Sequence, residues 1–357
     1  MYQIKDNTIK ISVRNLVEFI MRGGDIDNRI ASGADTDAMR EGSKIHRMIQ
    51  KRMGSNYDAE VPLSIKMPII QDEYEIMVQI EGRADGIIHE EEEGQPKITI
   101  DEIKGVYQEL HFIKEPVKVH MAQAMCYAYI YSTKMELDRI GVRLTYCNMD
   151  TRGLKYFEEE YEYGNLKKWF DDLMNEFGKW VVWQYKWTRS RNETIKNLDF
   201  PFEYRANQKQ LVADVYRTIL RDKKVYIEAP TGVGKTISTI FPAVKAMGEG
   251  ITSKIFYLTA KTITRTVAEE TYRILKNHGL SMKVVTITAK DKICLLEKTD
   301  CNPAACEHAK GHYDRVNDAV YDLLTNEEEI SRDLIVRYAI KHKVCPFEMS
   351  LDVTTWA

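Results

Sequence analysis

The 357-residue sequence has no apolar run near the ~18 residues that a membrane-spanning helix needs, so no membrane partner is expected. Its start, Met1-Tyr-Gln-Ile-Lys-Asp6, lacks the basic head and apolar centre of a secretory leader, and a cytoplasmic protein is the default expectation. No sign of charge dominates: 51 basic and 54 acidic residues leave a formal net charge of −3. A global pull toward polyanions is thereby excluded, and any nucleic-acid contact must come from a local basic groove. Six cysteines are present, yet the two close C-x₂₋₄-C pairs of structural zinc sites are missing. What remains is an ordinary soluble profile, 44% hydrophobic and 29% charged, with room for roughly two or three domains.

The clearest local signal is Ala229-Pro-Thr-Gly-Val-Gly-Lys-Thr236. It follows the apolar run Val225–Ala229, read as a strand, and precedes Ile237–Met247, read as a helix. That order suits a phosphate-binding loop. Gly232 and Gly234 let backbone N–H groups converge on an anion, and the helix adds its positive end. Lys235 is placed for the β/γ-phosphates and the Thr236 hydroxyl for Mg²⁺. Ala229 stands where the usual pattern has its first glycine. Two further apolar runs, Lys254–Ala260 and Val284–Thr288, separated by a helix over Thr264–His278, predict a parallel α/β sheet. Upstream, Arg205 and Gln208 open a helix over Gln208–Leu220. A glutamine amide offers a donor and an acceptor to an adenine edge, though plain helix surface is the other reading.

The N-terminal part reads differently. Thr36–Met53 carries Ile45, Met48, Ile49 and Met53 at helical spacing, with His46 beside that stripe. Extended segments follow at Glu60–Lys66, Tyr74–His89 and Ile98–Val106, the last two joined by an acidic turn at Glu90–Glu93. Strand alternation puts Glu102 and Lys104 on one face, with Asp85 on the neighbouring strand. Two carboxylates converging there suit Mg²⁺ or Mn²⁺, and a lysine beside them would stabilise charge on a phosphodiester. Gln123 and Tyr127, four apart, share a face of a helix over Met121–Tyr131. A strand over Leu137–Thr145 and an aromatic-rich helix over Leu166–Lys186 complete the segment; Phe170, Phe177 and Trp180 are read as core.

The set His46, Asp85, Glu102, Lys104, Gln123 and Tyr127 resembles the RecB/AddB branch of the PD-(D/E)xK nucleases. The resemblance implies metal at His46, Asp85 and Glu102, catalysis by Lys104 with Asp85 and Glu102, and DNA contact or support from Gln123 and Tyr127. No cysteines stand where many members carry an iron–sulfur staple in this domain.

Cys126 and Cys147 stand alone in apolar surroundings and read as buried thiols. Cys294, Cys301, Cys306 and Cys345 follow the phosphate loop at wide, uneven spacing, which suits a bulky cluster better than zinc. With the Cys345-Pro-Phe ending and the phosphate loop, they resemble the iron–sulfur domain of the xeroderma pigmentosum group D / DinG helicases. That resemblance implies ATP, Mg²⁺ and a [4Fe–4S] cluster, with single-stranded or forked DNA as partner. It also implies an Asp-Glu-x-His box and a second motor half, neither of which is found in the sequence, so unwinding is not expected of this chain alone. His308, Lys310, His312, Arg315, Arg332, Arg337, Lys341, His342 and Lys343 are candidates to grip a DNA backbone.

The expected architecture is α/β. It has a nuclease sheet flanked by helices over 1–190, a linker at 191–204, and a partial P-loop, RecA-like motor over 205–289. An inserted iron–sulfur helical domain covers 290–350, and 351–357 return to the motor. The expected function is a DNA-processing nuclease fused to an ATP-dependent helicase motor of repair type; the alternative is a non-catalytic ATP- and DNA-binding protein.

Overall fold

A computed structural model describes residues 2–5, 8–29, 36–71, 73–92, 94–230, 232–259 and 262–357. The chain divides into two compact units. One comprises Met1–Val182, Lys290–Tyr321 and Arg337–Met349; the other comprises Trp183–Ala289, Asp322–Val336 and Ser350–Ala357.

In the first unit a seven-stranded sheet forms from β1 (Tyr2–Lys5), β2 (Thr8–Ser12), β3 (Tyr57–Gln71), β4 (Tyr74–Glu92), β5 (Gln95–Val106), β6 (Arg139–Asn148) and β7 (Leu154–Glu162). The order is β1-β2-β4-β5-β6-β7, with β3 antiparallel on β4. β2–β4 and β5–β6 are parallel, while β4–β5 is the expected hairpin, closing at Glu92↔Gln95. Central β5 is buried on both faces, which its Ile98-Thr-Ile-Asp-Glu-Ile run can do only if the two acids find partners. Helix α1 (Val13–Ile20) follows β2, capped by the Ser12 hydroxyl accepting the Asn15 N–H. Helix α2 (Thr36–Arg52) lays Ile45 and Ile49 on Ile103 and Cys147. Helix α3 (Lys118–Met135) crosses from β5 to β6, so its face over the sheet can deliver polar groups to the ends of both strands. Cys126 and Cys147 are buried free thiols, as expected.

Helix α4 (Tyr163–Lys196) corrects the expected linker. Phe170, Phe177 and Trp180 are buried core, each contributing about 2–3 kcal/mol. The first part of the linker expected at 191–204, up to Lys196, is the same helix continued. The Thr194 hydroxyl bonds the Arg191 carbonyl, and Ile195 and Leu198 beyond it anchor in the core of the second unit.

The second unit carries α5 (Gln208–Leu220), α6 (Lys235–Gly248) and α7 (Thr262–Asn277) around Val212, Ile237, Ile240, Phe241, Val244 and Leu275. The expected parallel sheet is not formed there among the described residues. Val225–Ala229 and the described part of Lys254–Ala260 form no strand and have no ladder partner, and Tyr226 and Leu258 are 94% and 90% exposed. Only β8 (Val284–Val285) pairs, parallel to β9 (Glu329–Ile330). A strand exists only with a neighbour to bond, and apolar content alone does not supply one.

The remaining helices are α8 (Lys290–Ile293), α9 (His312–Asn326), α10 (Arg332–His342) and α11 (Pro346–Trp356). The cysteine-bearing stretches belong to the compact unit of the seven-stranded sheet, not to that of the phosphate loop, against the expected motor insertion. Hydrogen bonds show why. The Ile26 and Asn28 N–H groups donate to the Ala309 and Cys301 carbonyls, and the Tyr313 N–H donates to the Gly24 carbonyl. Asp25 accepts from the Gly311 N–H, Asp314 from the Gly24 N–H, and Asn317 bonds Arg22 and the Phe19 carbonyl. Trp180 sits edge-on between Phe19 and Tyr321, at 5.0 and 5.1 Å.

Candidate functional site: a carboxylate fork, a phosphate loop and a cysteine hollow

The β4–β5 ladder ends at Gly86↔Asp101. One residue further the strands part, and Asp85 and Glu102 stand at the fork. Asp85 Oδ2 accepts the Ile103 N–H at 2.8 Å, so the carboxylate bridges the gap the ladder leaves. From α2, His46 Nδ1 reaches Asp85 Oδ1 at 3.1 Å. Burial pulls the His46 pKa down, but the bond to Asp85 and the nearby carboxylates outweigh it and leave it raised.

Glu102 is 2% exposed; its Oε1 pairs with Lys104 Nζ at 2.8 Å, while Oε2 has no hydrogen-bond partner. Burial, then the charge of Asp85, pushes the Glu102 carboxyl up to about 8 despite Lys104. Lys104 Nζ also donates to Gln123 Oε1 at 3.0 Å, and the Tyr127 hydroxyl bonds Gln123 and the Arg83 backbone. Residue 82 must be glycine for that approach, because a Cβ there would meet the Tyr127 hydroxyl at 2.6 Å. All six residues singled out in the sequence are thus brought to one place.

Others at the fork escape sequence reading. Asp101, fully buried on the opposite face from Glu102, accepts two bonds from Arg143 and one each from Tyr57 and Thr145. The only sequence signal is a second acid in a strand too apolar to leave it in water. Glu60 and Gln50 also lie here, and neither stands out from its neighbours in the sequence.

His120, on the same helix as Gln123, contacts the Tyr146 hydroxyl through Nδ1 at 3.0 Å, and that oxygen accepts the Val117 N–H. Burial, then the charges of Lys104 and Arg14, pushes its pKa down to about 4 from an ordinary 6.5. The unfolded chain therefore takes up this proton first as pH falls, so stability held above pH 6.5 is lost toward pH 4, by about 3 kcal/mol at most. His120→Gln is expected to flatten that acid limb, seen in thermal midpoints at pH 7, 5 and 4.

In the second unit the loop turns at Gly232 (φ 84°) and Gly234 (φ 76°), the latter preceding α6. Lys235 Nζ lies on the Ala229 and Pro230 carbonyls at 2.8 Å, and Thr236 sits in the first turn of α6. Gln208 is 5% exposed, not helix surface: its Nε2 donates to the Val233 carbonyl and Ser238 Oγ, and its Oε1 accepts the Arg205 N–H. Arg205 donates to the Gly232 carbonyl. Both residues thus brace the loop, which leaves little of the amide for an adenine. A Cβ at Gly234 would stand 2.5 Å from Gln208 Nε2 at a φ that side chains resist. Gly234→Ala is expected to weaken binding of a fluorescent ATP analogue about tenfold or more, from about 1–3 kcal/mol of strain. Of Thr259–Thr262, Ala260 and Lys261 lie outside the described residues.

Cys294, Cys301, Cys306 and Cys345 line one small hollow with Lys290, His308 and Phe347. All four are free thiols. Two basic residues expected to face DNA are structural instead. His312 is fully buried and accepts the Cys345 N–H, and burial pushes it down to about 4. Arg315 binds the Lys310, His342 and Lys343 carbonyls.

Residues 205–321 match the DEAD/DEAH box helicase family. The match supports a helicase-type, ATP-hydrolysing motor in that segment and implies ATP, a divalent metal and nucleic acid as its ligands. A search of curated proteins gives no match. Among solved structures, one described as the crystal structure of SSO0001 aligns over 48% of this chain and 77% of that one, at 19% identity and a TM-score of 0.30, too low to carry an argument. Among the described residues no helix is long and apolar enough to cross a membrane.

Proposed function

We propose that the chain is a metal-dependent DNA nuclease joined to an ATP-dependent helicase-type motor segment, with an iron–sulfur cluster in the cysteine hollow and a role in DNA repair or recombination. The observation that carries the nuclease reading is the gathering of His46, Asp85, Glu102, Lys104 and Gln123 at one strand fork. The orphaned, buried Oε2 of Glu102 fits a cation: an acid left half-satisfied at this depth needs a positive partner. His46, Asp85 and Glu102 would hold Mg²⁺ or Mn²⁺, which supplies an activated water and neutralises phosphate charge. Lys104, fixed between Glu102 and Gln123, is held where it can meet charge developing on a phosphodiester oxygen. Gln123 fixes the lysine, and Tyr127 fixes Gln123.

In the motor segment, Lys235 would exchange the Ala229 and Pro230 carbonyls for nucleotide phosphates, and Thr236 would bind the ATP-bound Mg²⁺. Arg205 and Gln208 hold the loop open for them.

The gathering of four cysteines of wide, uneven spacing in one hollow supports a cluster over zinc. The test of the nuclease reading is incubation with Mg²⁺ or Mn²⁺ and end-labelled single-stranded and forked DNA. Metal-dependent cleavage is the expected result, and binding without cleavage under either ion favours a non-catalytic ATP- and DNA-binding protein.

A further inference from the structure

His46, Glu60 and Asp85 each offer a ligand atom, and all three atoms lie within 4.8 Å of one another; among the described residues this is the one such group. Glu60 has no part in the nuclease resemblance, and its geometry is odd. It lies inside strand β3 with φ +56°, a left-handed conformation that non-glycine residues seldom adopt and that costs of order 1–3 kcal/mol. Its flanking residues pair in register, Ala59 with Gly86 and Val61 with Ala84, which sets Glu60 opposite Asp85. Glu60 is therefore the cross-strand neighbour of an acid the fork already holds.

Gln50, one helical turn beyond His46, joins the two: its Nε2 donates to Glu60 Oε1 at 3.1 Å and to the Asp85 carbonyl at 2.9 Å. The second, separate observation that points to a cation ligand is Glu102, 2% exposed, with one carboxylate oxygen unpartnered at the same fork. Like charges side by side on paired strands are unfavourable, and here the chain also bears backbone strain to set them so.

We propose that Glu60 is a further protein ligand of the divalent ion beside His46 and Asp85, with Glu102, which lies outside their 4.8 Å group, closing on the ion when it binds. The inference rests on the nuclease reading above and names a residue that reading lacks. One imidazole nitrogen with three carboxylates suits Mn²⁺ better than Mg²⁺, which prefers oxygen and retained waters. The competing account is that Glu60 serves only Arg83, whose Nε it meets at 2.6 Å. That pair is exposed, with side chains 67% and 38% accessible, and such pairs contribute little.

The test is Mn²⁺ itself, titrated calorimetrically into the full chain and followed by its EPR signal, with no DNA present. Glu60→Gln is expected to weaken Mn²⁺ binding about tenfold or more, and Arg83→Ala to leave it unchanged or tighter. Asp85→Asn is the reference. If Asp85→Asn weakens binding and Glu60→Gln does not, Glu60 is not a ligand and only this inference falls. If neither variant changes Mn²⁺ affinity, the metal reading of the fork falls, and this one with it. Glu60→Asn, which tolerates positive φ, replaces Glu60→Gln if the latter does not fold, and the same outcomes then decide.

Discussion

Lys104→Ala is expected to lower the rate of metal-dependent DNA cleavage about 10²–10³-fold while leaving Mn²⁺ affinity nearly unchanged. The lysine makes two bonds, one to each of Glu102 and Gln123, and the second fixes its position without using its charge. Removing it takes away the cation that meets a developing oxyanion but leaves His46, Asp85 and Glu102 in place. Glu102→Gln is expected to abolish cleavage by the other route, through loss of the ion. The two variants separate in the measurement: single-turnover cleavage of end-labelled DNA falls in both, and calorimetric Mn²⁺ binding falls only in Glu102→Gln. Equal cleavage by Lys104→Ala and the unsubstituted chain would sink the assignment of the fork as a catalytic site.

The second large effect is expected at Cys301. The protein prepared without oxygen should be brown, with broad visible absorption, and Cys301→Ser should lose the colour and most of its iron. Its thermal midpoint should fall by roughly 10–20 °C, since losing a structural metal site costs on the order of several kcal/mol and each kcal/mol is worth a few degrees in a domain this size. The physical basis is twofold. Four thiols line one hollow, and the Cys301 carbonyl also holds the segment after α1 through Asn28. A colourless protein with stoichiometric zinc, or an unchanged midpoint in Cys301→Ser, would overturn the cluster.

The fork was open to sequence reading because strand and helix periods are short and rigid. Glu102 and Lys104 alternate onto one face, Gln123 and Tyr127 recur one helical turn apart, and an acidic turn announces the β4–β5 hairpin. What escaped depends on distance in the chain or on backbone shape. Asp101 finds Arg143 forty-two residues away, and nothing local marks the pair. Glu60 matters because of a positive φ that its own side chain does not favour. β7, with its Lys-Tyr-Phe-Glu-Glu-Glu-Tyr run, looks too charged for a strand, yet it pairs with β6 along its length while its side chains stay half-buried or exposed. The reverse error occurred in the motor segment, where apolar runs look like strands and lack neighbours to bond.

The bonds from Gly24, Asp25, Ile26 and Asn28 to residues 301–314 join positions nearly three hundred apart, as in the Gly311–Asp25 pair with its separation of 286. During synthesis the sheet has left the ribosome long before its last buttress exists. Closing so long a loop is slow. A half-made chain must therefore hold an unfinished sheet unit through the translation of the whole segment that carries the phosphate loop.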